Sequence, residues 1–95
     1  MNNVAVLYFM TTGWSCPACH GFKGHIVSTC NDMGAPLEII DISKSGEDGE
    51  GMGVQYNICG LPTVVVLHNG IEVGRIDNGV SKQAVIDLIK SARED

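Results

Sequence analysis

Four consecutive residues, Cys16-Pro17-Ala18-Cys19, have the types and the spacing to carry out redox chemistry. Two cysteines three positions apart at the start of a helix lie on neighbouring positions of one turn. Their Cα atoms are then close enough for a disulfide to form without backbone movement, so both oxidation states can share one backbone. The sequence therefore predicts a dithiol that can be oxidised and reduced reversibly.

The two cysteines are expected to have different roles. Cys16, at or before the first turn, faces unpaired backbone N–H groups and the positive end of the helix dipole, which favour thiolate over thiol. Cys19 lies one turn deeper on an apolar stripe, where burial should keep it protonated. We predict that Cys16 attacks a substrate disulfide and that Cys19 resolves the resulting mixed disulfide. His20, in its cationic form, would further favour the Cys16 thiolate, although at neutral pH it is mostly uncharged.

The same cysteines could instead belong to a zinc site. A closed zinc site has four ligands, usually in two paired knuckles, and the chain has no second Cys-x-x-Cys and no suitably placed pair of histidines. Cys59 could supply a third ligand if its loop meets the helix start, so zinc remains an alternative. Otherwise Cys59 is interpreted as a loop side chain or an accessory thiol, and Cys30 as a small buried hydrophobe.

Hydrophobic patterns predict the elements that position these cysteines. Val4 to Phe9 is continuous, β-branched and aromatic, as in a strand buried on both faces. Pro17 favours a helix start, and an apolar stripe continues towards a helix end near Gly34. The remaining predictions are a strand from Leu37 to Ile42, a mobile acidic loop, a short helix near Met52 to Tyr56, strands Thr63 to Leu67 and Ile71 to Ile76 around the turn Asn69-Gly70, and a last helix capped by Ser81. This βαβαββα order predicts one α/β domain over residues 1–95.

Composition and charge limit the possible functions. Of the 95 residues, 44 % are hydrophobic and 18 % are charged, as in a globular protein. The net charge of -5 gives no electrostatic attraction to nucleic acid or to an anionic membrane. No Lys or Arg precedes Lys23, which argues against a secretory signal, and no apolar run approaches the roughly 18 residues of a membrane span. We therefore expect a cytoplasmic protein, in which thiols stay reduced.

Three segments of the chain resemble the thioredoxin family. The family's active-site turn after a buried strand is similar to Trp14-Ser15-Cys16-Pro17-Ala18-Cys19. Its Tyr-x-Ile-x-Gly-Ile-Pro-Thr segment, followed by an apolar strand and a hairpin, is similar to Tyr56-Asn57-Ile58-Cys59-Gly60-Leu61-Pro62-Thr63. The entry to its last helix resembles Gly79-Val80-Ser81-Lys82. The resemblance extends from Val4 to about Ala92, which is nearly the whole chain.

The resemblance implies a thioredoxin fold, with a central mixed four-stranded sheet flanked by helices. It also implies that Pro62 is cis, that its loop lies against Cys16, and that the backbone of Leu61 is offered to an extended substrate strand. Backbone pairing does not depend on side chains, so it allows a broad range of substrates. The other groove residues that the resemblance implies are Trp14, Pro17, Gly60 and Gly79.

Three departures from the family pattern bear on the chemistry. Ser15 separates Trp14 from the first cysteine, which changes where the indole is expected. The buried acid that many thioredoxins carry in the first strand aligns with Tyr8 or a neighbour, and residues 4–10 contain no acid. The Cys19 proton would then pass to water or to another group, with slower turnover. Pro17 follows the first cysteine, as in glutaredoxins, whereas thioredoxins usually place proline before the second.

We therefore predict a protein-disulfide reductase with a role in electron transport and cell redox homeostasis. The resemblance implies electrons from NADPH through a flavin-containing thioredoxin reductase, substrates such as ribonucleotide reductase, no permanently bound cofactor and a monomer. The main alternative is a glutaredoxin-like protein that depends on glutathione, although Gly60-Leu61-Pro62 and Asp77-Asn78-Gly79-Val80-Ser81 match that pattern poorly. A non-catalytic binding module on the same fold is a further alternative, which the intact Cys16 and Cys19 disfavour.

Overall fold

The computed structural model describes residues 3–13, 16–77 and 80–94. Its elements follow the predicted βαβαββα order. They are β1 (Val4–Met10), α1 (Pro17–Met33), β2 (Leu37–Asp41), α2 (Glu50–Gln55), β3 (Thr63–His68), β4 (Ile71–Asp77) and α3 (Lys82–Glu94). Within these residues, none of the helices has the length and apolar character needed to cross a membrane.

The four strands form one sheet in the order β2-β1-β3-β4. β1 is parallel to β2 and antiparallel to β3, as expected for a strand-helix-strand unit followed by a hairpin. The hairpin between β3 and β4 turns at Asn69 and Gly70, whose φ angles of 53° and 82° both lie in the left-handed region. The predicted mixed four-stranded sheet is confirmed, and the central strand β1 ends at Met10, shortly before Cys16.

The side chains of β1 alternate between two hydrophobic clusters, one on each face of the sheet. The cluster under α1 and α3 includes Val4, Val6, Tyr8, Met10, Cys19, Ile26, Cys30, Val85, Ile89 and Ala92. The cluster on the other face consists of Leu7, Phe9, Ile40 and Val65. Met52 and Tyr56, from α2 and its end, pack against this second cluster. Burial on both faces explains why the sequence of β1 is continuously apolar.

Local sequence signals set the ends of the two long helices. Pro17 is the first residue of α1, and Gly34 caps the helix directly after Met33 with a φ of 63°, which suits a residue without Cβ. At the start of α3, Ser81 Oγ accepts a hydrogen bond from Ala84 N–H at 3.2 Å, which confirms the predicted N-cap. These signals lie within a few residues of the ends that they determine.

The short helix α2 begins at Glu50, earlier than the predicted start near Met52. The glycine-rich segment before it forms a defined turn, in which Glu50 N–H donates to Lys44 O at 2.8 Å. Gly49 is buried in this turn, and a Cβ at that position would lie only 2.4 Å from Lys44 O. The absence of a side chain at Gly49 therefore allows the close approach that starts α2.

Candidate active site

Cys16 and Cys19 form a disulfide across the first turn of α1. Their Cα atoms are 5.3 Å apart, within the usual range for a disulfide. Cys16 is the N-cap of the helix, and Cys19 N–H donates to Cys16 O at 3.0 Å and to Cys16 Sγ at 3.2 Å. The start of the helix thus directs a backbone donor at the Cys16 sulfur, which is the arrangement that favours negative charge on a cysteine.

The two cysteines of the pair differ in exposure. Cys16 is partly exposed, whereas Cys19 is fully buried in the cluster under α1 and α3. Pro17 and His20 are exposed on α1, and His20 N–H donates to Cys16 O at 3.3 Å. An incoming disulfide can therefore reach Cys16 more readily than Cys19.

Cys16 lines a surface cleft of about 350 Å³, which we call the redox cleft. Its lining residues are Thr11, Cys16, Ile42, Ile58, Cys59, Gly60 and Leu61. One side of the redox cleft lies at the end of β1 and the start of α1. The other side is the segment before β3, here called the 57–61 loop. Gly60 and Leu61, which the family resemblance assigns to the substrate groove, are thus in the same cleft as Cys16.

The end of the 57–61 loop that precedes β3 is fixed by packing and by one side-chain hydrogen bond. Leu61 packs against both hydrophobic clusters, and the Leu61–Pro62 peptide bond is cis, the isomer that the resemblance implies. Pro62 itself is buried. Thr63 Oγ1 donates to Gly60 O at 2.7 Å. The backbone at Gly60 and Leu61 is therefore held in a defined position beside Cys16.

The other end of the 57–61 loop is tied to β4 by Arg75. Arg75 Nη2 donates to Tyr56 O at 2.8 Å, and the guanidinium also donates to both carboxylate oxygens of Glu72, at 2.7 and 2.8 Å. Residues three apart in a regular strand face opposite sides of the sheet. Here an irregularity in the pairing of β3 and β4 sets Glu72 opposite Leu67 and Arg75 opposite Val65, which places both on one face. The hydrogen bonds from Arg75 lower the pKa of Glu72.

On the opposite side of the redox cleft, the carboxylate of Asp41 holds Thr12 and Gly13. It accepts hydrogen bonds from Thr12 Oγ1, from Thr12 N–H at 3.3 Å, and from the N–H and hydroxyl of Ser43 at 3.0 and 2.5 Å. Ser43 Oγ in turn accepts from Gly13 N–H at 3.1 Å. The hydroxyls of Ser43 and Thr12 hold the pKa of Asp41 well below its usual range. The segment that leads towards Cys16 is therefore anchored by a negative charge at the end of β2.

Tyr8 lies in β1, at or beside the position where many thioredoxins carry a buried acid and this sequence has none. Its side chain is fully buried, and its hydroxyl donates to Cys19 O at 2.7 Å. Burial raises the pKa of Tyr8 to about 12. Tyr8 therefore stays protonated at neutral pH, so it supports the backbone of Cys19 and does not accept the Cys19 proton.

The remaining predicted residues have different outcomes. Trp14 and Gly79 lie outside the described residues. Cys30 is buried, which confirms the interpretation from the sequence, and burial raises the pKa of its thiol. Cys59 is an exposed thiol in the redox cleft. Across residues 3–13, 16–77 and 80–94, no group of three or more His, Cys, Asp or Glu side chains is placed to hold a metal ion.

Sequence reasoning did not identify Asp41 and Arg75 as supports of the redox cleft. Asp41 has a weak local signal, because an aspartate followed two residues later by a serine commonly forms a side-chain turn. Arg75 has no local signal, since its acceptor on Tyr56 is 19 positions away in the chain. Only the folded arrangement brings those two residues together.

No family model matches the chain, and no curated protein does. Solved structures match nearly all of it. Thioredoxin-2, described as a component of the malaria parasite protein secretion machinery, is 29 % identical with a TM-score of 0.80, over 95 % of this chain and 84 % of that one. The reduced thioredoxin pre-protein of Schistosoma mansoni is 28 % identical with a TM-score of 0.82, and the match covers 95 % of this chain and 79 % of that one. A mutant thioredoxin from Halobacterium salinarum has a TM-score of 0.84 at 22 % identity, and the match covers 99 % of this chain and 78 % of that one.

Proposed function

Since this chain belongs to the thioredoxin family and is a thiol-disulfide oxidoreductase, we propose that it reduces disulfide bonds in other proteins. The observation that carries the proposal is the Cys16–Cys19 pair at the start of α1, with Cys16 in the redox cleft and Cys19 buried. A pair in which one cysteine is more exposed than the other can bind a substrate covalently at the more exposed one and release it through the other. This asymmetry of exposure supports Cys16 as the attacking cysteine and Cys19 as the resolving one.

The proposed reaction starts from the reduced dithiol. The Cys16 thiolate attacks one sulfur of the substrate disulfide, which forms a Cys16–substrate disulfide and releases the other substrate sulfur as a thiolate that takes up a proton. Cys19 then loses its proton to water and attacks Cys16 Sγ. This step releases the second substrate thiol and closes the Cys16–Cys19 disulfide. In total, two electrons and two protons pass to the substrate.

The residues around the pair have positioning roles in this proposal. The N–H of Cys19, 3.2 Å from Cys16 Sγ, stabilises the Cys16 thiolate. The backbone at Leu61, in the redox cleft, pairs with an extended segment of the substrate. The proposal also assigns five other residues to the binding surface for the substrate, as the family resemblance implies: Trp14, Pro17, Gly60, Pro62 and Gly79. His20, exposed in the first turns of α1, favours the Cys16 thiolate when it is cationic.

The oxidised pair must be reduced again before the next turnover. We propose that a flavin-containing thioredoxin reductase supplies electrons from NADPH, and that substrates include enzymes such as ribonucleotide reductase. On this proposal the protein works in the cytoplasm as a monomer without a permanently bound cofactor. Glutathione is the alternative reductant, because Pro17 follows the first cysteine as it does in glutaredoxins. We prefer the first route because Gly60-Leu61-Pro62 matches the glutaredoxin pattern poorly.

Reduction of insulin disulfides tests the function and separates the two reductants. One arm contains NADPH and thioredoxin reductase, and the other contains glutathione, glutathione reductase and NADPH. We expect precipitation of the insulin B chain and NADPH consumption in the first arm. Turnover in the glutathione arm alone would replace the thioredoxin-like proposal by the glutaredoxin-like one.

Serine substitutions at the pair test the mechanism itself. Cys16→Ser should reduce activity to background in both arms, because it removes the nucleophile. Cys19→Ser should keep the first step and accumulate a covalent adduct with substrate, which mass spectrometry of the unreduced protein detects. Cys30→Ala, at a buried cysteine outside the redox cleft, is the matched control and should keep its activity. Full activity of Cys16→Ser would contradict the mechanism.

A further inference from the structure

A second surface cleft adjoins the redox cleft. It has a volume of about 460 Å³, and Val54 and Glu50 of α2 are among the residues that line it. The residues that line both clefts are Ile42, Ile58 and Cys59. Because they share these residues, the two clefts are adjacent, and we call them together the α2 groove, whose lining includes Cys16 at one end and Val54 of α2 at the other.

The α2 groove has an exposed apolar side chain at its α2 end. Val54 is 72 % exposed, whereas Met52 and Tyr56 on either side of it are partly buried against the sheet. Ile58 and Ile42 continue the apolar lining towards Cys16. Apolar side chains therefore line both clefts between Cys16 and Val54.

The redox chemistry indicates what occupies the α2 groove. A protein disulfide that reacts at Cys16 brings its own main chain with it, on both sides of the reacting cysteine. An extended chain advances by at most about 3.6 Å per residue, so residues near that cysteine in sequence must lie on the surface around Cys16. The α2 groove is an apolar path on that surface, and it begins in the same cleft as Cys16.

The charge around the α2 end of the groove favours a basic partner residue. Glu50 lines this part of the groove, and Glu47 and Asp48 are exposed in the turn before α2. The net charge of the chain, -5, is also negative, so it attracts a basic partner at longer range. A Lys or Arg side chain of a partner is therefore attracted to this end, and an acidic side chain is repelled.

We propose that the α2 groove selects protein disulfides whose reacting cysteine is flanked on one side by an apolar residue and a basic residue. The apolar side chain packs against Val54, and the basic side chain lies near Glu50. This specificity rests on the proposed disulfide reductase function and narrows its substrates to one chemical class. Backbone pairing at Leu61 admits an extended segment, and the side-chain contacts in the groove discriminate among segments.

Peptides with a chromogenic leaving group test this selectivity. Each synthetic peptide contains one cysteine in a mixed disulfide with 2-nitro-5-thiobenzoate, so attack by Cys16 on the peptide sulfur releases the coloured thiolate. In the first pair, one peptide has leucine and lysine before the cysteine, and the other has serine and glutamine at the same two positions. A second pair has these residues after the cysteine. With protein that has first been reduced and separated from reductant, we expect the second-order rate constant of the single turnover, which corresponds to kcat/KM, to favour the leucine-lysine peptide by about tenfold in one of the two pairs, and less at high salt.

Two variants with matched controls assign the preference to the α2 groove. Val54→Ser should reduce the ratio of kcat/KM within the favoured pair by about threefold or more, because it removes apolar contact area. Ile71→Ser is the matched control, since Ile71 is 71 % exposed but lies on β4, and it should keep the ratio. Glu50→Gln should weaken the salt dependence of the ratio, whereas Glu94→Gln at the end of α3 should not.

The outcomes separate this inference from the proposed function. If the unsubstituted protein reduces neither insulin nor any peptide, the proposed reductase function is wrong. If it reduces all peptides at similar rates, or if Val54→Ser and Ile71→Ser change the ratio equally, the function stands and the selectivity of the α2 groove is wrong. Concentration-dependent dimerisation that Val54→Ser abolishes, measured by sedimentation, would overturn the inference by assigning the groove to a second copy of the chain.

Discussion

The two sides of the redox cleft are each held by one charged side chain, but these have opposite signs. Before α1, the carboxylate of Asp41 accepts hydrogen bonds from Thr12 and Ser43. Before the 57–61 loop, the guanidinium of Arg75 donates to Tyr56 O. A carboxylate can be neutralised by acid, whereas a guanidinium remains charged over the whole accessible pH range. The two sides should therefore respond differently to pH.

The two anchors also differ in what they position. Asp41 fixes Thr12 and Gly13, which lie shortly before the reactive sulfur of Cys16 in the chain. Arg75 fixes the start of the 57–61 loop, which contributes binding surface to the cleft. We therefore expect damage on the Asp41 side to lower kcat, and damage on the Arg75 side to raise KM.

Among substitutions at the two sides of the redox cleft, the largest expected effect on stability comes from Gly13→Ala, on the Asp41 side. A Cβ at this position would lie 2.7 Å from Ser43 Cβ, so the segment must move away from Ser43 and lose the hydrogen bond from Gly13 N–H. We expect a loss of about 2 kcal/mol in the free energy of unfolding, or roughly 10 °C in Tm, together with a lower kcat.

Gly21→Ala is the matched control for this substitution. Gly21 lies within α1, and nothing lies within 4 Å of where its Cβ would be placed. Its replacement should raise the free energy of unfolding by up to about 1 kcal/mol, because alanine favours the helix. Thermal and denaturant unfolding measure both variants. Equal effects of the two substitutions would contradict the close packing between Gly13 and Ser43.

Asp41→Asn should have the next largest effect, and this effect should depend on pH. At pH 7 it removes the charge that accepts from Thr12 and Ser43, with an expected loss of about 1.5 kcal/mol, moderated by the partial exposure of the site. The folded pKa of Asp41 lies below its unfolded value of about 3.9. The contribution of Asp41 to the free energy of unfolding is therefore complete above the unfolded pKa and is lost as the pH falls towards the folded pKa.

Unfolding in urea at a series of pH values checks this prediction. The difference in stability between Asp41→Asn and the unsubstituted protein should be constant from about pH 6 to 8 and should shrink below about pH 4. Glu38→Gln, at an exposed carboxylate on β2, is the control and should show little change. A difference that stayed constant down to pH 2.5 would show that the charge of Asp41 is not what holds Thr12.

Arg75→Met tests the opposite side of the cleft with a smaller expected effect. It removes the hydrogen bond to Tyr56 O and the pair with Glu72, with an expected loss of about 1 kcal/mol. Because Arg75 stays charged, this loss should be nearly constant from pH 5 to about pH 9. Steady-state kinetics with insulin should show a rise in KM of about threefold with less change in kcat. A fall in kcat at constant KM would contradict the assignment of Arg75 to the binding side.

Sequence patterns predicted the parts of this molecule that depend on neighbouring residues. Pro17 and Gly34 mark the ends of α1, Asn69 and Gly70 mark the hairpin, and Ser81 caps α3, because the signal and its effect are a few residues apart. The cysteine pair was found for the same reason. The position of the 57–61 loop beside Cys16 was available only through the resemblance to a known family.

The contacts that hold the site could not be predicted, because each joins distant parts of the chain. The Tyr8 hydroxyl meets Cys19 O across 11 positions, and the donors of Thr12 meet Asp41 across 29. The pairing irregularity in β4 also has no local signature, although it sets Arg75 and Glu72 on one face. Such contacts depend on the register of the strands, which the hydrophobic pattern does not determine to one residue.

The smallest expected effect is that of Cys59→Ser, and its comparison with Cys30→Ser sharpens the contrast between the redox cleft and the core. Cys59→Ser should change the free energy of unfolding by less than about 0.5 kcal/mol, because the side chain is exposed. Cys30→Ser should cost about 1 to 3 kcal/mol, because it buries a hydroxyl in the hydrophobic cluster between α1 and the sheet. In the native protein with the Cys16–Cys19 disulfide intact, iodoacetamide should therefore modify Cys59 quickly and Cys30 only when the chain unfolds, as mass spectrometry over time can measure. Equal alkylation rates would mean that α1 opens often enough to expose Cys30, and the close packing behind Cys19 would then not hold.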